Sequence, residues 1–265
     1  MVNLLVAAAI AAATTAAAPP AQATVEPAMF VVHDADTTVY IFGTFHALDG
    51  KADWFNDNVK SALVQSDELV LETLIPEGPA PANAAATPFS APTVTPSASF
   101  LATTRMAINA GRSQGMQVSN GADMVLRRFA EAEGKQVEGL ETLDFQFNMF
   151  NHMPPTAIAP GTKAGQPVKT SSGENLSKTM ADMQTAWKHG DQTVFVRMLD
   201  QLRSAAPATY QMMFTERNAR WADWIAARMQ TPGIVFVAVG AGHLAGNDSV
   251  LVRLAEHGIE SQRIY

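Results

Sequence analysis

Two copies of one short motif carry most of the chemical information in this sequence. Residues 40–50 read YIFGTFHALDG and residues 235–246 read VFVAVGAGHLAG, so each strand-forming run ends in Gly-x-x-His. A glycine lets the chain leave a strand where a Cβ would clash, and the histidine can then turn back over the sheet edge. Both histidines are therefore expected to stand on exposed turns outside the core. Either motif alone is typical of an ordinary loop histidine, but the duplication predicts that His46 and His243 form a functional pair.

A carboxylate is expected beside this pair of histidines. The run ELVLE is a short predicted strand that ends at Glu72. Two imidazoles and one carboxylate are a ligand set typical of Zn, Mn or Fe, with positions left open for water. We therefore expect His46, His243 and Glu72 to bind a divalent metal ion, with Mn, Co and Zn as candidates, that would lower the pKa of bound water. Glu72 could instead serve as the base for that water.

The metal prediction depends on the fold bringing distant residues together. No compact metalloprotease spacing such as His-Glu-x-x-His is present in the sequence. The other histidines lack the motif and are interpreted as ordinary surface or core residues: His33, His152, His189 and His257.

Three further residues are candidates for catalysis. Glu141 stands at the end of a predicted strand in GLETLDFQ, whereas Glu138 lies within that strand and would simply face solvent. Arg217 and Asn218 lie in MFTERNARWADWI, which is predicted to be helical. A solvated helix face is the simple alternative for this pair, but Arg-Asn is a poor choice for helix propensity alone. The two side chains could clamp a carboxylate or an oxyanion, and so polarise a substrate carbonyl.

Composition excludes several other classes of protein. The chain has 265 residues, 47% of them hydrophobic, which is enough for one sizeable core. Its formal net charge of -7 argues against a nucleic acid partner. The absence of cysteine excludes disulfides and thiolate chemistry, and neither a Gly-x-Ser-x-Gly elbow nor a phosphate-binding P-loop is present.

The order of predicted elements indicates an α/β fold. The strand-forming runs MFVVH and TTVYIF predict a hairpin, and the order strand, Gly-x-x-His, helix, strand occurs at 38–72 and again at 234–264. Asp53 is a plausible cap for the first helix. Between the repeats, helical patterns are expected at about 98–115, 121–133, 142–152 and 174–230, with one strand at KQVEGLE. The predicted fold is a central mixed β-sheet flanked by helices, built from two related β-(GxxH)-α-β half-units with a helical insertion between them.

The first segment predicts export. Residues 1–23 contain a short apolar stretch, a proline pair and Ala-Gln-Ala, a pattern typical of a signal peptide cleaved after Ala23. The basic start of such a signal is missing, so an uncleaved anchor is the alternative. Residues 24–265 are expected to form a single periplasmic or secreted domain with no membrane span in the mature form. Within it, 76–97 is expected to be a flexible loop rich in Pro, Ala and Thr.

The chain resembles the TraB/GumN family, which is related to the Tiki proteins. The matching stretches follow the family's order from about residue 28 to the end: YIFGTFHALDGKADW, SDELVLE, GKQVEGLETLDFQ, ERNARWADWI and VAVGAGHLAGNDSVLVRLAEHGI. The resemblance implies a mixed α/β fold and a site built from His46, Glu72, Arg217, Asn218 and His243, with Glu141 as a further match. The Tiki branch looks like a metal-dependent protease acting at the cell surface, and more distant relatives of the fold include erythromycin esterase.

Two functions of different classes are compatible with these residues. The first is an exported metal-dependent hydrolase, peptidase-like, that acts on a peptide or small-molecule substrate. The alternative is a non-catalytic periplasmic module that keeps the pocket only to bind a ligand. Retention of His46, Glu72, Arg217 and His243 together favours catalysis, because a site without activity should have lost at least one of them.

Overall fold

The computed structural model describes residues 25–75, 105, 108–152 and 172–265. A single mixed sheet of six strands lies at its centre, in the order β4-β3-β5-β2-β1-β6. The strands are β1 (Met29–His33), β2 (Thr37–Thr44), β3 (Glu68–Thr73), β4 (Gln136–Glu141), β5 (Gly233–Gly240) and β6 (Gln262–Arg263). The predicted α/β class, with helices flanking a mixed sheet, is confirmed.

Helices cover both faces of this sheet. They are α1 (Asp57–Gln65), α2 (Ala122–Ala132), α3 (Leu143–Asn151), α4 (Ser172–Lys188), α5 (Thr193–Ala205), α6 (Pro207–Tyr210), α7 (Glu216–Arg228) and α8 (Val250–Glu256). Residues 108–113 are also helical. A π-helical segment, Gln211–Thr215, joins α6 to α7, and single 3₁₀ turns occur at Ala52–Trp54, Val118–Asn120 and Ala241–Leu244. None of the helices that the structure describes has the length and apolar character needed to cross a membrane.

The alternation of side chains along the strands divides the core into two layers. On one face, Phe42 and Phe236 pack with α1, α2 and α5. On the other face, Ile41 and Val237 pack with α7 and α8. Because both faces are buried, the central strand β5 reads GIVFVAVG as a continuous apolar run.

The two Gly-x-x-His strands lie side by side in the sheet. β2 and β5 pair in parallel over their full lengths, with Thr44 opposite Gly240 at their carboxyl ends. From β2 the chain passes through α1 to β3, on the far side of β5, and from β5 it passes through α8 to β6, at the opposite edge of the sheet. The two crossovers run in opposite directions along the sheet. Because such crossovers have the same handedness, their helices lie on opposite faces of the sheet. The chain therefore leaves β2 and β5 toward opposite faces, and a crevice is expected between the two strand ends.

The two half-units share their order of elements but differ in how they end. β3 is a full strand paired in parallel with β5, whereas β6 has only two residues and pairs with β1. The last strand is thus shorter than IESQRIY suggests. The segment between the half-units carries β4 in addition to its helices, so it extends the sheet by one strand at the β3 edge.

Several local predictions can be compared with the structure. The opening hairpin is confirmed, since β1 and β2 pair antiparallel across residues 34–36. Asp53 is not the cap of α1, because it lies in the preceding 3₁₀ turn and the side chain of Asn56 accepts the backbone N–H bonds of Asn58 and Val59. The expected signal at 1–23 and the expected loop at 76–97 lie outside the described residues, as does half of the expected helix at 98–115.

Candidate functional site

The two motif glycines let the two motifs approach each other. A Cβ built on Gly43 would lie 3.3 Å from the Cα of Ala241, in the second motif. A Cβ built on Gly240 would lie 3.1 Å from Nε2 of His46, in the first motif. Neither glycine has a positive φ. Each glycine is therefore required by the space that the other motif occupies, and not by a strained turn of its own.

His46 projects into the crevice and is held by a carboxylate that the sequence analysis missed. Its Nδ1 lies 2.8 Å from Oδ2 of Asp123, in the first turn of α2. The backbone N–H of Ala122 donates to the carbonyl of Phe45, which fixes the start of α2 against the motif. Because the carboxylate accepts the Nδ1 proton, the neutral ring presents the lone pair of Nε2, 4.0 Å from Oε2 of Glu72.

The charge of Asp123 raises the pKa of His46 to about 9, against an opposing effect of burial. The imidazole is 61% exposed, so water weakens this interaction, although its direction follows from the short contact. Without another cation beside it, His46 is therefore an imidazolium at neutral pH, with a proton on Nε2 as well as on Nδ1.

His243 has the opposite environment. It is 6% exposed and lies between Phe214 and Trp221, with ring centroids at 4.8 and 4.5 Å. Burial lowers its pKa to about 3, so the ring is neutral. The expectation that both histidines stand on exposed turns outside the core holds for His46 and is wrong for His243, because the aromatic rings that cover it come from the π-helical segment and from α7.

Asn218 determines which nitrogen of His243 carries the proton. The amide nitrogen of Asn218 donates to the carbonyl of Asp248 at 2.7 Å, so its amide oxygen faces Nδ1 of His243 at 2.6 Å. That oxygen can only accept, and Nδ1 must therefore donate. The lone pair of His243 is left on Nε2, which is the same nitrogen that His46 presents.

Arg217 joins the two sequence-predicted carboxylates. Its guanidinium donates to Glu141 through Nε at 2.9 Å and Nη2 at 2.7 Å, and Nη2 also donates to Glu72. Nη1 lies 3.4 Å from Nε2 of His243, in position to donate to its lone pair. Burial is the largest influence on Glu72 and opposes its ionisation, but the charge and hydrogen bond of Arg217 together with the two histidines outweigh burial and hold the pKa of that carboxyl well below its usual range. Arg217 thus helps to keep Glu72 charged inside the protein.

The elements around Arg217 complete this network. Gln146, on α3, donates to Glu72 at 3.2 Å and to Glu141 at 3.4 Å. In the π-helical segment, the carbonyl of Met213 accepts from Nη1 of Arg217 at 3.3 Å. Such segments often occur at functional sites because they leave backbone groups free for other partners.

The structure therefore brings together every residue that the sequence analysis placed at the site: His46, Glu72, Glu141, Arg217, Asn218 and His243. The metal and catalytic roles given to them stay predictions. Arg217 contacts Glu72, Glu141 and His243. Asn218 contacts His243. In the structure these side chains therefore hold His243 and Glu72 in position.

The chemistry of the donors suits a divalent metal ion. Two ligands of one ion, each about 2.1 Å from it, can lie up to roughly 4.2 Å apart, and Nε2 of His46 and Oε2 of Glu72 are 4.0 Å apart. The missing side chain of Gly240 leaves space beside them: a Cβ there would lie 3.5 Å from both Oε2 of Glu72 and Cδ2 of His243. As the side chains stand, no group of three His, Asp or Glu residues within the described ranges is already arranged to hold an ion. Arg217 faces the lone pair of His243, so metal binding requires that this contact be given up.

Comparison with known proteins gives one finding. A family model described as TraB/PrgY/gumN matches residues 28–92 and 85–263. No curated protein and no solved structure matches the chain. The two matched ranges together contain both Gly-x-x-His motifs, and they cover nearly all of the sheet and helices described above. On this evidence the chain belongs to the TraB/PrgY/gumN family.

Proposed function

We propose that this protein is an exported metal-dependent hydrolase that cleaves amide or peptide bonds. One observation supports the proposal most strongly: His46 and His243 each have Nδ1 tied to an acceptor, so each presents Nε2 in the crevice where Glu72 lies. Histidines that bind metal ions are typically oriented by such a partner on their other nitrogen. A pair of ordinary structural histidines would not need Nδ1 held by a partner in both.

The residues of the chain have separable tasks in this proposal. His46, His243 and Glu72 would hold the ion, whose bound form lowers the pKa of water and polarises a carbonyl. Asp123 keeps the proton of His46 on Nδ1, and Asn218 does the same for His243. Glu72, ionised beside Arg217, can also accept a proton at Oε2, the oxygen that faces His46.

Arg217 links the ionic state of the site to its ligands. Its charge offsets Glu72 and Glu141, two carboxylates whose side chains are only 14% and 4% exposed. With a divalent ion beside Glu72, Arg217 would no longer be the only cation to offset that carboxylate, and Nη1 of Arg217 could leave His243. The freed donor would then lie next to the reacting group, where it could stabilise negative charge on a substrate oxygen.

Hydrolysis can be tested on protein purified without chelator. Metal content is measured first, and cleavage of a peptide library is then followed with and without added Mn, Co or Zn. We expect bound metal and metal-stimulated cleavage that His46→Ala abolishes. Protein that binds no metal and shows no metal-stimulated cleavage would contradict the proposal, and tight ligand binding without turnover would support the non-catalytic alternative.

Export is tested separately from hydrolysis. The intact mass of protein recovered from the periplasm or the culture medium should correspond to a chain that begins at Thr24. Protein found only in the cytosol, with Met1 retained, would contradict the proposed localisation while leaving the hydrolase proposal standing.

A further inference from the structure

A second arginine, more exposed than Arg217, lies at the rim of the site. Arg220 follows Arg217 by one turn of α7, and its side chain is 46% exposed. Nη2 of Arg220 is 3.6 Å from Oε1 of Glu141, which is an ionic contact but too long for a hydrogen bond. The Arg217 guanidinium donates to both oxygens of that carboxylate from inside.

The position of Arg220 is fixed by an aromatic ring. Its guanidinium carbon lies 4.8 Å from the ring centroid of Phe145, on α3, and Phe145 is itself 38% exposed. A cation–π contact of this kind does not consume the N–H donors of a guanidinium as a hydrogen bond would. An exposed aromatic ring and an ordered arginine thus stand together beside Glu141, which touches the Arg217–Glu72 network.

The exposed part of Arg220 can bind an anionic ligand at this position. Within the described residues two buried acids, Glu72 and Glu141, share the one guanidinium of Arg217, and Arg220 is the second cation beside Glu141. Because the side chain of Arg220 is 46% exposed, its remaining N–H donors can reach a ligand from solvent. The planar fork of a guanidinium pairs best with a planar acceptor such as a carboxylate, through two parallel hydrogen bonds.

We propose that Arg220 and Phe145 form a binding subsite for a carboxylate of the substrate, close to the bond that is cleaved. This assignment rests on the proposed hydrolase function, because it names the class of substrate for the same site. The carboxylate is either the C-terminus of a peptide or an acidic side chain within it. The aliphatic part of the neighbouring substrate residue would pack on the exposed ring of Phe145.

Equilibrium binding to the full chain tests the subsite without requiring turnover. The probes are the peptide acetyl-Ala-Ala-Ala with a free C-terminal carboxylate, the same peptide as its C-terminal amide, and acetyl-Ala-Asp-Ala amide. Titrations are followed by calorimetry, and mass spectrometry confirms that each peptide is intact at the end. We expect the wild-type protein to bind one of the two anionic peptides about tenfold more tightly than the neutral amide. The free-acid and Asp-containing peptides distinguish a C-terminal carboxylate from an acidic side chain.

Variants assign the preference to Arg220. Arg220→Gln should bind all three peptides with equal, weak affinity, whereas Arg220→Lys should keep part of the preference because it keeps the charge. Arg203→Gln is the matched control, since Arg203 is 47% exposed and belongs to α5. It should retain the full preference. Circular dichroism and thermal melting verify that each variant is folded.

The outcomes separate this proposal from the hydrolase proposal. Equal affinity of the wild type for the neutral and anionic peptides, or no binding of any of them, would overturn the subsite. A preference that persists in Arg220→Gln, or that disappears equally in Arg203→Gln, would do the same. If the subsite is overturned in either way, metal-stimulated cleavage of neutral peptides by the same preparation would still support the hydrolase proposal. Conversely, a carboxylate preference lost only in Arg220→Gln would support the subsite even in protein that cleaves none of the probes.

Discussion

His46 and His243 occupy the same place in their motifs, yet their surroundings separate them chemically. His46 is exposed and has its pKa raised to about 9 by Asp123, whereas His243 is buried and has its pKa lowered to about 3. A metal ion can bind only an unprotonated Nε2. His243 already meets that condition at neutral pH, and His46 meets it only after losing a proton, so metal binding should release a proton from His46.

The Asp123→Asn variant tests the origin of the raised pKa of His46. NMR titration of metal-free protein should give His46 a pKa well above 6.5 in the wild type and close to or below 6.5 in the variant. Because the folded-state pKa is raised, the charged contact stabilises the protein fully below about pH 6.5 and is lost as the pH rises through about 9. The wild type should thus lose its stability advantage over Asp123→Asn across that interval. An unchanged His46 titration in the variant would contradict this cause.

Replacing each histidine by alanine should distinguish their surroundings. His46→Ala should change the free energy of unfolding of metal-free protein by less than about 1 kcal/mol, since an exposed charged contact contributes little. His243→Ala should cost roughly 2–4 kcal/mol, because it leaves a cavity between Phe214 and Trp221 and removes the hydrogen-bond partner of Asn218. Urea unfolding of both variants provides the measurement. Equal small losses of stability in the two variants would mean that His243 is not packed as described. In activity assays, both variants should lack hydrolytic activity.

The sequence could predict the residue types of the site better than their partners. The duplicated motif and the strand-end position of Glu72 identified the donors from local pattern alone. Asp123 was missed because it is 77 residues from His46 in the chain and belongs to no motif. The only local signal is an acidic residue in the first turn of α2, which the helix dipole favours without any ligand. The burial of His243 was missed for a similar reason, since the small residues around it, Ala241 and Gly242, predict an exposed turn.

At the level of elements, the site depends on the parallel pairing of β2 with β5. That pairing could be expected, because two strands followed by the same motif and a helix should end at the same edge of a sheet. The order in which β3, β4 and β6 flank the pair could not, because these strands are short and their sequences do not specify which strands lie beside them. The π-helical segment is likewise absent from the sequence pattern, which is helical throughout that region.

Gly240→Ala tests whether the space between the two motifs is functional. The φ of -51° at Gly240 suits alanine, so the variant should fold with nearly wild-type stability. Its new Cβ would lie 3.1 Å from Nε2 of His46 and should weaken metal binding and activity at least tenfold. Gly242→Ala is the control, since its Cβ would contact only Phe214 and Met198 at ordinary distances. Calorimetric metal titration of both variants decides the matter, and equal affinities would argue against a site at Gly240.

Arg217 ties three elements together, because it joins α7 to Glu72 at the end of β3 and Glu141 at the end of β4. Removing one partner of a buried ion pair is costly, so Arg217→Met should lose about 3–5 kcal/mol of stability at neutral pH. Arg203→Met, at an exposed position, should lose far less.

The pH dependence of Arg217→Met follows from the lowered pKa of Glu72. A carboxyl with a depressed folded-state pKa contributes stability above its unfolded value of 4.5, and this contribution is lost as the pH falls toward the folded-state pKa. Without Arg217, burial favours the protonated acid. The deficit of the variant relative to the wild type should therefore shrink as the pH is lowered below 4.5. A deficit that is constant over this range in urea unfolding experiments would show that charge is not its cause.

In the described residues, one sheet with both faces buried by helices places the carboxyl ends of β2, β3 and β5 side by side at one edge. The fold thereby gathers residues from 46 to 243 of the chain into one site. Family membership and fold class agree with the expectations drawn from the sequence.

Anomalous diffraction from crystals soaked in Co²⁺ tests whether the two Gly-x-x-His motifs form one metal site. We expect one strong peak beside Gly240, about 2.0–2.2 Å from Nε2 of both histidines and from an oxygen of Glu72, with Nη1 of Arg217 moved away from His243. Peaks only at other places, with Arg217 still within 3.4 Å of Nε2 of His243, would contradict the claim that the two Gly-x-x-His motifs form a metal site.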